Sequence, residues 1–250
     1  MNATGIEYLD WTWSPLVGCS GLGCAVYEHC WAKYMKKRNL NGCPDCTAFK
    51  PHTHLERLEQ PLHIKKPSII GACYSADFWD KGFSFVDHAR VFNLVKFAKN
   101  HWFINLTKQT QNIPTKLSEV FIFPNNWIQG ASICTEADLY RVKDLTVLKN
   151  HYWAKYLALS IEPLYENLPN LKLDGIDWVI IGGQTKPIRL PEKEWVDGII
   201  AKAKALNIPV FIKNNLDSLG YNLHEFPAFI SNVNNPINQS DKTTEDKTSE

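Results

Sequence analysis

Short apolar runs and helix-like segments alternate along this chain, and the alternation predicts an α/β fold on parallel strands, a partial or complete TIM-like (β/α) barrel. Three observations carry that expectation. Runs rich in β-branched and aromatic residues recur roughly every 25 to 35 residues, segments with apolar residues at intervals of three and four lie between them, and the runs end in polar or glycine residues.

In chain order, EYLDWTW near the start reads as the first strand. SIIGACY (68 to 74), HWFINLT (101 to 107), WIQGASI (127 to 133), YLALSI (156 to 161), IDWVIIGG (176 to 183) and IPVFIK (208 to 213) follow as strands. FVDHARVFNLVKFAKN (85 to 100), EADLYRVKDLTVLKN (136 to 150) and EKEWVDGIIAKAKALN (192 to 207) carry the helical period. About seven βα units result, and a doubly wound sheet is the alternative. No internal repeat is found. Residues 1–231 read as one domain, and 232–250, NVNNPINQSDKTTEDKTSE, as a disordered polar tail with little apolar surface to bury.

With 250 residues, 44% of them hydrophobic, the chain is long enough for one large α/β domain. The net charge of +1 names no partner. No leader-like segment opens the chain, and no run approaches the roughly 20 apolar residues that cross a bilayer, so a soluble cytoplasmic protein with no membrane association is expected. In a reducing compartment the seven cysteines, Cys19, Cys24, Cys30, Cys43, Cys46, Cys73 and Cys134, are expected to bind metal or do redox work instead of pairing.

Parallel barrels place their chemistry at the carboxyl ends of the strands. Those positions are Ser75 and Asp77, Lys108 and Gln109, Cys134 and Glu136, Glu162 and Pro163, then Gly182, Gly183 and Gln184, and finally Lys213, Asn214 and Asn215. Strand ends turn polar simply on leaving the core, but Glu162 and the GGQ stretch stand out.

The densest chemical signal is GCSGLGCAVYEHCWAKY (18 to 34). Thiolates are soft ligands suited to zinc or iron–sulfur clusters, and Gly18, Gly21 and Gly23 let the backbone curl so that Cys19, Cys24 and Cys30 face one centre. Three thiolates on a 4Fe-4S cluster leave one iron open to chelate a small molecule. Two other readings compete with this one: buried small hydrophobes, and a four-thiolate zinc site made by Cys24 and Cys30 with Cys43 and Cys46 of CPDC.

GC at 18 and 19, GC at 23 and 24, CWAKY, PHTHLERLEQPL, SADFWD, INLTKQTQNI, GASICTEADLYRV, LSIEPL and DWVIIGGQTKP follow one another in an order that resembles the phage gene-product 37/68 family. These three-Cys-motif proteins are similar to the radical S-adenosylmethionine (SAM) superfamily. The resemblance runs from about Trp11 to Lys213 and rests on the order and number of the motifs. It implies a radical SAM-like barrel with a 4Fe-4S cluster on Cys19, Cys24 and Cys30, and SAM chelated to the open iron. Reduction by a reductase or flavodoxin-type donor would then generate a 5'-deoxyadenosyl radical. Carried over by position, Ser75 to Asp77 hold the SAM amino group, Ser132, Glu162, Gly182, Gly183 and Gln184 contact its ribose, carboxylate or adenine, and His29 stands where a ring lies against the adenine. The phage setting implies a nucleic-acid base or nucleotide-derived substrate.

The chain departs from the superfamily in spacing its cysteines by four and five residues instead of three and two, so the loop needs an extra half turn or bulge. Gln184 replaces the Glu of the family's GGES stretch, and Trp31 replaces a Tyr. His52 and His54 could join Cys43 and Cys46 at a metal, although neighbouring prolines and polar residues suit an ordinary loop. Lys33, Lys36, Lys37 and Arg38 suit a nucleic-acid groove or a solvated helix face. Lys108 and Lys213 could hold an anionic group of substrate. Cys73 and Cys134 read as core residues within strands, although Cys134 at a barrel rim could donate a hydrogen atom to a radical. Two non-catalytic alternatives are a zinc-stabilised nucleic-acid-binding module and a subunit working beside a partner protein.

Overall fold

The computed structural model describes residues 1–22, 24, 26–37, 42–114, 122–151 and 153–230. Gly23, Arg38 and the tail from 232 onward therefore lie outside the described residues, as do the side chains of Lys36 and Lys37. In chain order the elements are β1 Asn2–Ala3, β2 Trp11–Trp13, β3 Leu16–Val17, α1 Trp31–Lys37, α2 Pro44–Ala48, β4 His52–Thr53, β5 Ile69–Ala72, α3 Phe85–Phe97 and β6 Trp102–Thr107. They continue with β7 Trp127–Ser132, α4 Tyr140–Asn150, β8 Tyr156–Ile161, β9 Trp178–Ile181, β10 Gln184–Thr185, β11 Ile188–Arg189, α5 Lys193–Ala205 and β12 Val210–Ile212.

Eight strands form one sheet in the order β1-β2-β5-β6-β7-β8-β9-β12. All neighbours pair in parallel except β1, which runs antiparallel to β2. From β2 to β12 the spatial order repeats the chain order. A doubly wound sheet would reverse at a switch point, and this one does not. The sheet is not closed, since β2 and β12 do not pair with each other. The segment before β2 nevertheless reaches the far strands. Tyr8 lies edge-on to Trp178 of β9 at 5.7 Å and to Phe211 of β12 at 5.6 Å, and the Asn214 amide donates to Glu7 Oε1 at 3.0 Å.

The strands read as near-continuous apolar runs because both faces are buried. Ile70, Phe103, Trp127, Leu157, Leu159, Val179 and Val210 pack with Val91, Val95, Leu145, Leu148, Val196 and Ile199 of α3, α4 and α5. On the alternate positions Ile69, Ile104, Ile128, Ala158, Trp178, Ile180 and Phe211 form a second cluster with Tyr8 and Leu9. Each large apolar side chain so buried stabilises the fold by about 1.5–3 kcal/mol.

Local signals fix the helix ends. The Ser84 hydroxyl accepts from the Asp87 amide and the Asp87 carboxylate accepts from the Ser84 amide, a capping box that starts α3. The segment expected to be helical from Glu136 opens instead as a 3-10 turn, Glu136–Asp138, because Asp138 Oδ2 accepts from the Cys134 and Thr135 amides at 2.8 and 3.1 Å. The α-helix begins at Tyr140. Among the described residues no helix is long and apolar enough to cross a membrane.

Candidate functional site

The cysteine loop is seated on the carboxyl ends of the parallel strands. The Gly18 amide donates to Ser75 O at 3.0 Å, just past β5, and the Cys19 amide donates to Phe49 O at 3.2 Å. Gly18 sits at φ +92°, and a Cβ there would stand 2.0 Å from Lys50 O, so only glycine fits. The Ser20 amide and hydroxyl both donate to Asp80 Oδ2, at 2.8 and 2.5 Å, and Gln109 Nε2 donates to the same oxygen at 2.8 Å and to Cys19 Sγ at 3.6 Å. Burial alone would raise the Asp80 carboxyl; hydrogen bonds from Ser20, Gln109 and Gly82 outweigh it and hold the group below the usual carboxylate range.

The wide second cysteine gap is taken up by a 3-10 turn, Tyr27–His29, after which the Cys30 amide donates to Tyr27 O at 3.2 Å and α1 begins at Trp31. This is the extra turn that the spacing calls for. Burial, with Asp77 next, pushes the Cys19 thiol up to about 12, and the Cys24 charge adds to the rise. Burial also raises Cys24, with Lys108 opposing and Cys30 reinforcing the shift. The Lys108 cation likewise opposes the burial that pushes Cys134 up to about 11. Gly18 and Cys19 are seated past the end of β5, Lys108 follows β6 and Cys134 follows β7.

The other candidate positions fall into three groups. Ser75 and Asp77 stand at the loop's seat, but the Asp77 carboxylate is engaged by the fold. It accepts from Thr107 Oγ1 at 2.6 Å, the Lys108 amide at 2.9 Å and the Trp79 amide at 3.1 Å, while burial raises its pKa. Glu162, Gly182, Gly183, Gln184 and Lys213 cluster at the ends of β8, β9 and β12. Lys213 Nζ donates to Glu162 Oε1 at 2.6 Å, and a Cβ at Gly182 would meet both side chains at 3.0–3.1 Å. The Asn215 side chain holds both the amide and the carbonyl of Gly183, and Tyr165 OH donates to Gln184 Oε1 at 2.7 Å. Ser132 is buried at the end of β7, its carbonyl accepting from Arg141 Nη1 at 2.8 Å, whereas His29 is exposed on the 3-10 turn. Cys73 and Cys134 follow β5 and β7 instead of lying within them, and both are fully buried. Lys33 lies over the Tyr27 ring at 4.0 Å.

Asp80 and Gln109, which tie Cys19 to the sheet, carry no distinguishing sequence pattern beyond their place after strands. Cys43, Cys46, His52 and His54 were harder to read and are more informative. Their ligand atoms all lie within 4.8 Å of one another, and they form the one such group among the described residues. Cys43 Sγ is 3.5 Å from His52 Nε2, and Cys46 Sγ is 3.4 and 3.2 Å from the Nε2 atoms of His52 and His54. His52 Nδ1 donates to Lys50 O at 2.7 Å and His54 Nδ1 to Glu56 Oε1 at 2.7 Å. Those two bonds leave the Nε2 lone pairs facing each other at 2.9 Å, an arrangement that a cation between them relieves. This group could bind a metal ion. Of the readings the sequence left open for CPDC, the structure brings Cys43 and Cys46 together with His52 and His54, and Cys24 and Cys30 are not members of the group.

No curated protein and no solved structure matches the chain. A family profile spans residues 3–221, and the chain therefore belongs to the family described as Protein of unknown function (DUF5131).

Proposed function

We propose that Cys19, Cys24 and Cys30 hold a 4Fe-4S cluster and that the chain is a radical SAM enzyme on a barrel-like parallel sheet, acting on a nucleic-acid base or nucleotide-derived substrate. The observation that carries this reading is the cysteine loop itself, whose Gly18 amide donates to Ser75 O and whose Ser20 is held by Asp80, so that it sits on the carboxyl ends of parallel strands. Three cysteines are the donor chemistry of such a cluster, since a four-iron cube takes each cysteine at a separate corner and keeps one iron for another ligand.

With cluster and SAM bound, the site would supply reductive cleavage of the sulfonium to methionine and a 5'-deoxyadenosyl radical that abstracts a substrate hydrogen, the electron coming from a reductase or flavodoxin-type donor. The chain's own residues have defined tasks in this reading. Gln109 and Asp80 orient Cys19 through Ser20. Lys108 offsets negative charge beside Cys24 and Cys134 and can receive an anionic group of substrate. The Lys213–Glu162 pair presents one cation and one carboxylate to the polar end of SAM or substrate. Cys134, which follows β7, would be the hydrogen-atom donor in this reading.

A second reading, a zinc-stabilised nucleic-acid-binding or partner-protein module without catalysis, is favoured by the Cys43 and Cys46 group alone. Anaerobic protein treated with dithionite and SAM distinguishes them. The radical reading expects release of 5'-deoxyadenosine that Cys24→Ala abolishes, and the absence of any release from wild type would leave the binding module standing.

A further inference from the structure

The metal group lies against the root of the cysteine loop. Two thiolates and two imidazoles form a closed four-ligand set without a carboxylate, the chemistry of structural zinc. Zinc bonds of about 2.3 Å to sulfur and 2.0–2.1 Å to nitrogen imply ligand–ligand edges of about 3.3–3.8 Å. Three of the sulfur–nitrogen separations are 3.2–3.5 Å, the nitrogen–nitrogen separation is 2.9 Å, and all the ligand atoms lie within 4.8 Å of one another. The other ring nitrogen of each histidine already has its acceptor, Lys50 O for His52 and the Glu56 carboxylate for His54, which fixes the ring for a metal on Nε2.

The connection to the loop runs through the backbone. His52 and Thr53 form β4 and pair with Val17 and Leu16 of β3, and the His54 amide donates to Pro15 O at 2.7 Å. Phe49 O receives the Cys19 amide, and Lys50 O closes over Gly18. A two-residue ladder does not hold itself together in water. We propose that Zn²⁺ bound by Cys43, Cys46, His52 and His54 is the fastener of this two-strand ladder, so that zinc occupancy holds Cys19 and the loop after it on the sheet. The zinc site shares no ligand with Cys19, Cys24 and Cys30 and can be tested on protein that contains no iron.

Full-length protein purified aerobically is analysed for zinc and probed by alkylation with peptide mapping. Wild type is expected to hold about one zinc per chain, and His52→Ala to lose it. Glu56→Gln keeps the fold, because Glu56 is exposed, and weakens zinc affinity about 10–100-fold. Removing zinc with a chelator is expected to raise the alkylation rate of Cys19 about tenfold or more, while the buried Cys73 and Cys134 stay protected. The inference is overturned by wild type without zinc, by equal zinc content in His52→Ala, or by an unchanged Cys19 rate after stripping. Labelling of Cys73 and Cys134 together with Cys19 also overturns it, because the ion would then hold the whole fold and not this ladder. Iron analysis judges the cluster reading separately.

Discussion

Gly18→Ala tests the seating of the cysteine loop through a single methyl group. The new Cβ would stand 2.0 Å from Lys50 O, 2.3 Å from Lys50 C and 2.7 Å from Pro51 N, all backbone atoms. Real Cβ atoms essentially never approach within 3.0 Å, so the Phe49–Pro51 segment must retreat by about 1 Å. Retreat breaks or strains the bond from the Cys19 amide to Phe49 O and the ladder between β3 and β4. Two hydrogen bonds at about 0.5–1.5 kcal/mol each, with about 1–2 kcal/mol for alanine at a left-handed φ, come to about 2–5 kcal/mol. That is a large fraction of the about 5–15 kcal/mol by which domains are stable. Gly198 is the internal control. It lies inside α5 with no heavy atom within 4 Å of its Cβ position, and Gly198→Ala should stabilise by about 0.5–1 kcal/mol. Urea denaturation reads both variants, with the midpoint lowered in the first and raised in the second. A Gly18→Ala variant within about 0.5 kcal/mol of wild type would refute the proposed seating.

Two further outcomes follow from the buried polar groups. Arg141 Nη1 pairs with Asp138 Oδ1 at 2.9 Å and both are buried, so Arg141→Ala should cost about 3–5 kcal/mol in a thermal or urea melt and loosen Cys134, whose amide Asp138 holds. His88 and His101 have pKa values lowered chiefly by burial, with hydrogen bonds to Phe78 O and Ile64 O opposing. The folded state therefore binds fewer protons than the unfolded chain, whose histidines titrate near about 6.5. Their contribution is complete above that pH and is lost as pH falls through it toward the lower folded values, by at most about 1.4 kcal/mol per pH unit for each histidine. Urea midpoints between about pH 7 and 5.5 should slope downward, and His88→Gln should reduce the slope; an unchanged slope in that variant would contradict the assignment to His88.

The six later strands and the three long helices were legible because burial on both faces leaves β-branched runs, and one-sided burial leaves the helical period. The two-residue pairings β1, β3–β4 and β10–β11 are too short to show a period, and sheet closure depends on strand tilt, which side-chain pattern does not encode. The strand-end rule located Ser75, Lys108, Glu162 and Gly182, but it could not show that Asp77 is held by Thr107 or that Lys213 is already paired with Glu162. At the metal group a usable signal was present. His52 and His54 are two apart and were legible as partners for Cys43 and Cys46, but with His52 in a two-residue strand and His54 just past it, no strand period set that reading above an ordinary loop.

Anaerobic iron and sulfide analysis of wild type beside a variant carrying Cys19→Ala, Cys24→Ala and Cys30→Ala tests the central claim most directly. The account predicts a brown wild type with about four irons and four sulfides per chain, and a variant that loses them while keeping its zinc. Colourless wild-type protein holding zinc alone, or iron retained by the triple variant, would contradict it.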